Sequence, residues 1–289
     1  MLSFPHERNK PLSEVSTFGI GGPARFYAEA HSHAQMEEMV RSCLHHSVPF
    51  FILGKGSNCL FDDKGFNGLV IRNRIDFLHQ EDEKFSVGAG YSFARLGGQT
   101  ARLGWSGLEF ASGIPATVGG AIFMNAGANG QETGDKLLSV DYLTDKGELL
   151  SLKKEEMTFG YRSSSFQKRK GVILSALFSL EASPHAKEQQ KKILEYRLET
   201  QPYGEKSAGC AFRNPLAGSA GKLIDGCGLK GLKIGGAQIS SLHANFIVNG
   251  GKATAQEVLE LMKIIKELVY EKTGVLLEDE VRIIPYECP

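Results

Sequence analysis

The segment from Gly104 to Gly130, GWSGLEFASGIPATVGGAIFMNAGANG, constrains this chain more than any other: it holds seven glycines, one proline and a single charged residue, Glu109. Gly113, Pro115, Gly119 and Gly120 interrupt every apolar run well short of the ~20 residues that a membrane helix needs. Disorder is equally unsuited, because Leu108, Phe110, Ile114, Val118, Ile122, Phe123 and Met124 carry too much apolar surface to stay solvated. What remains is an ordered wall with backbone close to its surface, its exposed N–H groups able to face a large ligand that is part apolar and part anionic. A nucleotide cofactor has that character. Tight turns between buried strands would leave the same trace, so the segment needs companions elsewhere in the chain.

With 289 residues the chain exceeds a typical ~150-residue domain and has room for two or three packed units. Its 33 basic and 33 acidic residues cancel, so no basic stripe points to nucleic acid and no polybasic cluster to a membrane surface. The opening MLSFPHERNKPL lacks an apolar stretch after a basic start, so a cytoplasmic location is expected rather than export. Cys43, Cys59, Cys210, Cys227 and Cys288 are scattered and show no CxxC spacing, which argues against a disulfide framework and against a zinc site. No HExxH pair occurs among the histidines, and no metal is expected.

The first organised unit starts with glycines 19, 21 and 22, which turn the chain into a strand near Ala24 to Ala28. A helix follows, with Ser32 and Gln35 in a capping-box pattern, a stripe of Met36, Met39, Val40, Cys43 and Leu44, and His45 and His46 at its C-terminal end. Next, VPFFIL runs into the loop Gly54-Lys55-Gly56-Ser57-Asn58, whose glycines let backbone lie against a diphosphate while Ser57 and Asn58 supply neutral donors. It is not a Walker loop, because Lys55 sits between the glycines. GCGLKG at Gly226, Gly228 and Gly231 meets the Rossmann glycine spacing but fails its context: SAGKLID before it reads as a short helix, LKIGGAQIS after it as extended, and no acidic residue lies between Asp225 and Glu257 to hold a ribose. Further on, Thr254 and Glu257 form a capping box ahead of the stripe Val258, Leu261, Met262, Ile265, Leu268 and Val269, and Gly274 supplies the stop.

Three segments taken together, GKGSN, GIPATVGGAIFMNAGANG and FGYRSSSF around Arg162, closely resemble the bacterial UDP-N-acetylenolpyruvoylglucosamine reductases. AGCAFRNP at Ala208 to Pro215, AGKLIDGCGLKG at Ala220 to Gly231, HANFIVN at His243 to Asn249 and LEDEVRIIP at Leu277 to Pro285 continue the resemblance over nearly the whole chain, in the family's order. The resemblance implies an α+β fold: a two-domain FAD-binding part shared with the vanillyl-alcohol-oxidase-type flavoenzymes, and a C-terminal α+β domain for the substrate. Residues 1–73 with 276–289 would form the first FAD subdomain, 74–183 the second and 195–275 the substrate domain, with the last strand returning to bring Glu280 beside the flavin. Nothing between Thr158 and Tyr203 leaves room for the tyrosine loop of the longer subtype, so the shorter one is implied.

The activity implied by the resemblance is reduction of a UDP-linked enolpyruvyl sugar by NADPH through noncovalently held FAD. Gly54, Lys55, Gly56, Ser57, Asn58, Gly113, Ile114, Pro115, Thr117, Gly119, Gly120, Asn125, Gly127 and Ala128 would hold FAD, and Arg213, Asn214 and Lys222 the substrate. Arg162 would hold the substrate carboxylate, with a planar fork suited to two oxygens. Glu280 would act as an acid or a protonated hydrogen-bond donor, which burial favours by raising a carboxyl pKa. The family usually carries serine as proton donor; here the position is Cys210, and a thiol is the better acid of the two. Ala116 stands where glycine is usual and Asn129 where an aromatic is common. The other readings are an oxidase on the same scaffold, whose covalent flavin link would use a histidine or cysteine, with Cys59 the one cysteine near Gly54, and a non-catalytic flavin protein. No partner beyond the UDP-sugar is implied, and a monomer would suffice.

Overall fold

The structure, a computed structural model, describes residues 2–287. Cys288 therefore lies outside the described residues, as do Met1 and Pro289. Two compact units account for the chain: the first takes residues up to His6, Tyr27–Lys55 and Leu69–Arg197, the second Glu7–Phe26, Gly56–Gly68 and the chain from Leu198 onward. In each unit the chain leaves and returns near its N-terminal end.

In the first unit, a five-stranded antiparallel sheet runs in the order Leu149–Lys153, Leu137–Thr144, Gly171–Ser179, Lys84–Gly88 and Leu78–Glu81. Gly171–Ser179 reads as a near-continuous apolar run because it is buried along most of its length. Helices α2 (Phe93–Arg102) and α3 (Val118–Met124) share a core with this sheet, built on fully buried Phe85, Phe93, Phe110, Val118, Ile122 and Phe178. Phe93 meets Phe110 edge to face at 5.8 Å between centroids, a geometry that adds to simple burial. Helix α1 (His33–His45) starts at Ser32, whose Oγ accepts from Gln35 N, while Gln35 Oε1 accepts from His31 N at 2.8 Å. Met36, Met39, Val40 and Cys43 are buried as the spacing predicts, but Leu44 is 39% exposed at the edge of the stripe. Strand Phe50–Leu53 pairs in parallel with Phe66–Asn73, from Phe50↔Leu69 to Leu53↔Arg72, and delivers the chain to Gly54.

The second unit holds a four-stranded antiparallel sheet in the order Ser207–Cys210, Phe246–Asn249, Ala237–Ile239 and Lys233–Ile234. Helix α4 (Ala186–Thr200) precedes this sheet in the chain, and helices α5 (Ala220–Gly226) and α6 (Ala255–Thr273) share the sheet's core. The signals for α6 act as written: Thr254 Oγ1 accepts from Glu257 N at 3.1 Å, Glu257 Oε2 accepts from Thr254 N at 3.0 Å, and Gly274 closes the helix at φ +70°. Glu257 Oε2 also accepts from Gly236 N at 3.1 Å; these backbone donors, Thr254's first, hold the carboxyl below its ordinary range. Gly226 ends the short helix α5, and Gly228 and Gly231 lead from it to Lys233–Ile234 and Ala237–Ile239, the reverse of a strand–loop–helix dinucleotide site. The last strand, Arg282–Ile284, pairs in parallel with Cys59–Phe61. Among the described residues no helix is long and apolar enough to cross a membrane, and no group of three His, Cys, Asp or Glu could hold a metal.

Candidate active site

Within the first unit, the two glycine-rich segments meet at Gly54 and Thr117. A Cβ on Gly54 would come within 2.4 Å of Thr117 Oγ1, so only glycine fits. That hydroxyl is the N-cap of α3, accepting from Gly120 N at 3.3 Å. The expected row of outward N–H donors is not what the wall provides. Ile114 N donates to Ala111 O, Ala116 N to Ile114 O, Val118 N to Tyr91 O and Gly119 N to Ala89 O, all at 2.8–2.9 Å. The backbone of a buried wall satisfies itself before it serves a ligand. What the wall offers is shape: from Ile114 to Gly120 no side chain is charged or larger than isoleucine, and Ile114, Ala116, Gly119 and Gly120 are half-buried with Pro115 exposed. This small, neutral surface beside the Gly54–Lys55 turn has the shape and character to take a flat, largely apolar ring system. In Gly54→Ala, displacement of the Thr117 cap should cost about 1 kcal/mol of stability and leave the protein colourless. Melting temperature and flavin absorbance per chain measure both, and a yellow variant with wild-type stability would refute the contact.

Gly113 and Gly127 are buried, Ala128 is half-buried, and Gly127–Ala128 pairs with Gln131–Glu132. Asn125, expected at the cofactor, is fully buried, and its side chain serves the protein: Oδ1 accepts from Gly134 N at 2.9 Å, and Nδ2 donates to Glu132 Oε2 at 2.6 Å and to Gly160 O at 2.9 Å. It caps α3 in the left-handed region and anchors the hairpin Phe159–Gly160/Ser163–Ser164, at whose tip Arg162 stands with φ +51°. A left-handed backbone is uncommon for arginine and marks a side chain held in a set direction. Ser164 Oγ donates to Phe123 O at 2.7 Å, Gln167 Nε2 to Phe123 O and Arg162 O at 3.0 and 3.1 Å, and the Arg162 guanidinium lies 5.1 Å from the centroid of the Tyr161 ring.

The second unit brings the other expected residues together through backbone. Gly56 has φ +68°, and a Cβ there would lie 2.8 Å from Val15 O and Ser16 Cα. Asn58 O accepts from Arg282 N at 2.9 Å, and Asn58 Nδ2 donates to Glu280 O at 3.1 Å, so one donor expected to face a phosphate instead clamps the final strand. Glu280 N donates to Ala211 O at 2.9 Å, Arg213 N donates to Glu278 O at 2.9 Å, and Phe212 bridges Asp279 in antiparallel sense. Cys210, half-buried at the end of its strand, thus adjoins the segment that carries Glu280, and Ser57 O lies 3.9 Å from where a Cβ on Gly209 would sit. Of the expected substrate residues, Arg213 is half-buried with Nη1 3.9 Å from Glu278 Oε2, Asn214 Oδ1 accepts from Ala220 N at 3.0 Å, and Lys222 is exposed in the first turn of α5.

Two residues without an assigned role in the sequence reading emerge here. Asn245 is 2% exposed and bonds Phe212 on both sides. His243 Nδ1 accepts from Asn245 N at 3.2 Å, which requires the neutral ring, and burial holds its imidazole below the ordinary histidine range. The only sequence signal for Asn245 is a polar residue opening an otherwise apolar strand run.

A glycine-walled unit and a second helix-and-sheet unit make this an α+β protein, in which an FAD-binding part precedes a C-terminal domain. Residues 24–153 match the FAD binding domain profile, and residues 201–284 match that of the UDP-N-acetylenolpyruvoylglucosamine reductase C-terminal domain. The UDP-N-acetylenolpyruvoylglucosamine reductase of Protochlamydia amoebophila is 56% identical over 98% of this chain and 95% of its own length, and that of Chlamydia pneumoniae 50% identical over 98% and 93%. The crystal structure of the Thermus caldophilus reductase superposes with a TM-score of 0.82 at 39% identity, over 97% of this chain and 99% of that one. The chain belongs to the UDP-N-acetylenolpyruvoylglucosamine reductase family.

Proposed function

We propose that this protein reduces UDP-N-acetylenolpyruvoylglucosamine to UDP-N-acetylmuramate at the expense of NADPH, as a step in peptidoglycan precursor synthesis. The observation that carries the reading is the backbone cluster joining Cys210–Ala211, Glu280 and Asn58, which gathers a thiol, a carboxyl and the phosphate-loop end within one unit. Bound FAD would supply the redox chemistry, accepting hydride from NADPH and passing it to the enolpyruvyl group. Gly54 to Asn58 and the wall from Gly113 to Gly120 would hold it, with Gly127 and Ala128 beside them, in a noncovalent complex: Cys59 is buried and its thiol pushed up to about 11, an unsuitable attachment point.

The chain's own part in the reaction is to bind, orient and move one proton. Arg162 grips the substrate carboxylate, into which negative charge spreads as hydride arrives. Cys210 Sγ–H gives its proton to the neighbouring carbon, and Glu280 donates a hydrogen bond to the same developing charge. Arg213, Asn214 and Lys222 receive the sugar nucleotide on residues 195–275, with FAD on residues 74–183 and on 1–73 joined by 276–289. The protein would work in the cytoplasm, bound to neither nucleic acid nor membrane, and a monomer would suffice.

The decisive experiment is anaerobic. The purified protein should be yellow, NADPH should bleach it, and the enolpyruvyl sugar nucleotide should restore the colour; acid precipitation should release the flavin from the chain. Bleaching without recovery would mean another flavin reductase, and colour that stays with the precipitate would mean a covalent link.

A further inference from the structure

The buried side chain of Asn245 grips both backbone groups of one residue: Oδ1 accepts from Phe212 N at 3.0 Å and Nδ2 donates to Phe212 O at 2.8 Å, across 33 positions of sequence. Its own carbonyl accepts from Ala211 N at 2.7 Å. A primary amide presents donor and acceptor side by side, so it copies the edge of a β-strand. Beside it the strand Ser207–Cys210 breaks register, pairing Ser207 with Val248 but Cys210 with Phe246, and stops. The next residues turn to meet the chain around Glu280, where Ala211 O accepts from Glu280 N at 2.9 Å and Phe212 bridges Asp279. Lys266 of α6 closes the far side, 2.8 Å from Asp279 Oδ2 and 6.0 Å from the Phe212 ring centroid.

We infer that Asn245 is a positioning residue for the reaction: by clamping Phe212 it fixes the Ala211–Phe212 turn, which runs on from Cys210 and binds the Glu280 segment, and so sets the spacing between the Cys210 thiol and Glu280. The inference rests on the reading of Cys210 as proton donor. Removing the amide leaves a buried N–H and C=O without partners, which loosens the Ala211–Phe212 turn and lets the thiol wander from the carbon it protonates. Misplacement by about 1 Å is enough to slow a positioned step by on the order of 10²-fold.

The test uses the FAD-loaded full chain with three variants, Asn245→Ala, Asn245→Asp and Cys210→Ala. Asn245→Asp keeps the volume and the acceptor for Phe212 N–H but places an oxygen against Phe212 O. Stopped-flow measurement separates bleaching by NADPH from recovery of colour with the enolpyruvyl sugar nucleotide, and peptide mass mapping follows iodoacetamide labelling of Cys210. In Asn245→Ala and Asn245→Asp, recovery should slow by about 10- to 100-fold, bleaching should change less than about 3-fold, and the Cys210 labelling rate should shift by at least about 3-fold. If both half-reactions fall together in both variants, Asn245 supports the fold and the inference is wrong. It is equally wrong if the Cys210 labelling rate stays at the wild-type value. Altered labelling with unchanged recovery overturns the inference, and unchanged recovery in Cys210→Ala as well overturns the proton-donor reading on which it rests.

Discussion

In Cys210→Ala, NADPH should bleach the flavin at close to the wild-type rate, while recovery of colour with the enolpyruvyl substrate slows by on the order of 10²- to 10⁴-fold, the range that a positioned acid supplies. The split follows from where the thiol stands. Cys210 ends its strand half-buried, next to the turn that binds Glu280 N, whereas the Gly54–Thr117 contact belongs to the other unit. A thiol must be protonated to donate, and an unperturbed one titrates near ~8.5, so wild-type turnover should fall on the alkaline side. Serine stays protonated throughout the working range. Cys210→Ser should therefore keep substantial turnover and lose the alkaline limb. Iodoacetamide at pH ~8 adds an independent reading. Burial pushes the Cys43 thiol up to about 12 and Cys59 to about 11, so both remain unreactive thiols, and Cys227 is buried. Inactivation should thus follow labelling of Cys210, be slowed by substrate, and spare Cys210→Ser. Wild-type turnover in Cys210→Ala, or an alkaline limb that survives in Cys210→Ser, would remove the cysteine from the mechanism.

Local chemistry explains which parts of this protein its sequence announces. Helix α6 is legible residue by residue, because a capping box, a 3.6-residue stripe and a terminal glycine all act within a few positions of one another. The rejection of GCGLKG succeeds for the same reason: a helix before the glycines and short strands after them are local features. Leu44 is where this logic slips, since the outer edge of a stripe depends on what covers it. Long-range hydrogen bonds leave no such trace. Nothing near Asn58 says that its amide will hold Glu280, 222 residues away, and nothing near Asn245 says that it will hold Phe212. The glycine wall shows the limit most plainly. Its composition told of close backbone approach, as where a Cβ on Gly127 would lie 2.5 Å from Gln131 O, but its N–H groups found carbonyls at Ala89 and Tyr91 that no local reading could supply. Asn125 likewise reads as one more polar residue of the wall and turns out to be the anchor of the Arg162 hairpin.

That anchor makes Arg162→Lys the sharpest test of how charge is handled during reduction. The hairpin tip is fixed from three sides, by Asn125 on Gly160 O, by Ser164 on Phe123 O and by Gln167 on Arg162 O, and the guanidinium lies against Tyr161. So much bracing around a left-handed backbone makes sense if the direction of the fork matters as well as its charge. Two parallel N–H donors match the two oxygens of a carboxylate, and their hold tightens as negative charge spreads onto those oxygens. Lysine keeps the charge but offers a single ammonium on a flexible stem, and a positive φ costs it no more than it costs arginine. Recovery of colour with the enolpyruvyl substrate should therefore slow by on the order of 10²-fold in Arg162→Lys, with bleaching by NADPH and melting temperature close to wild type. The loss should persist at saturating substrate, because the interaction is strongest in the transition state. If bleaching and recovery fall equally, Arg162 belongs to the scaffold or to the NADPH site and another cation must hold the carboxylate.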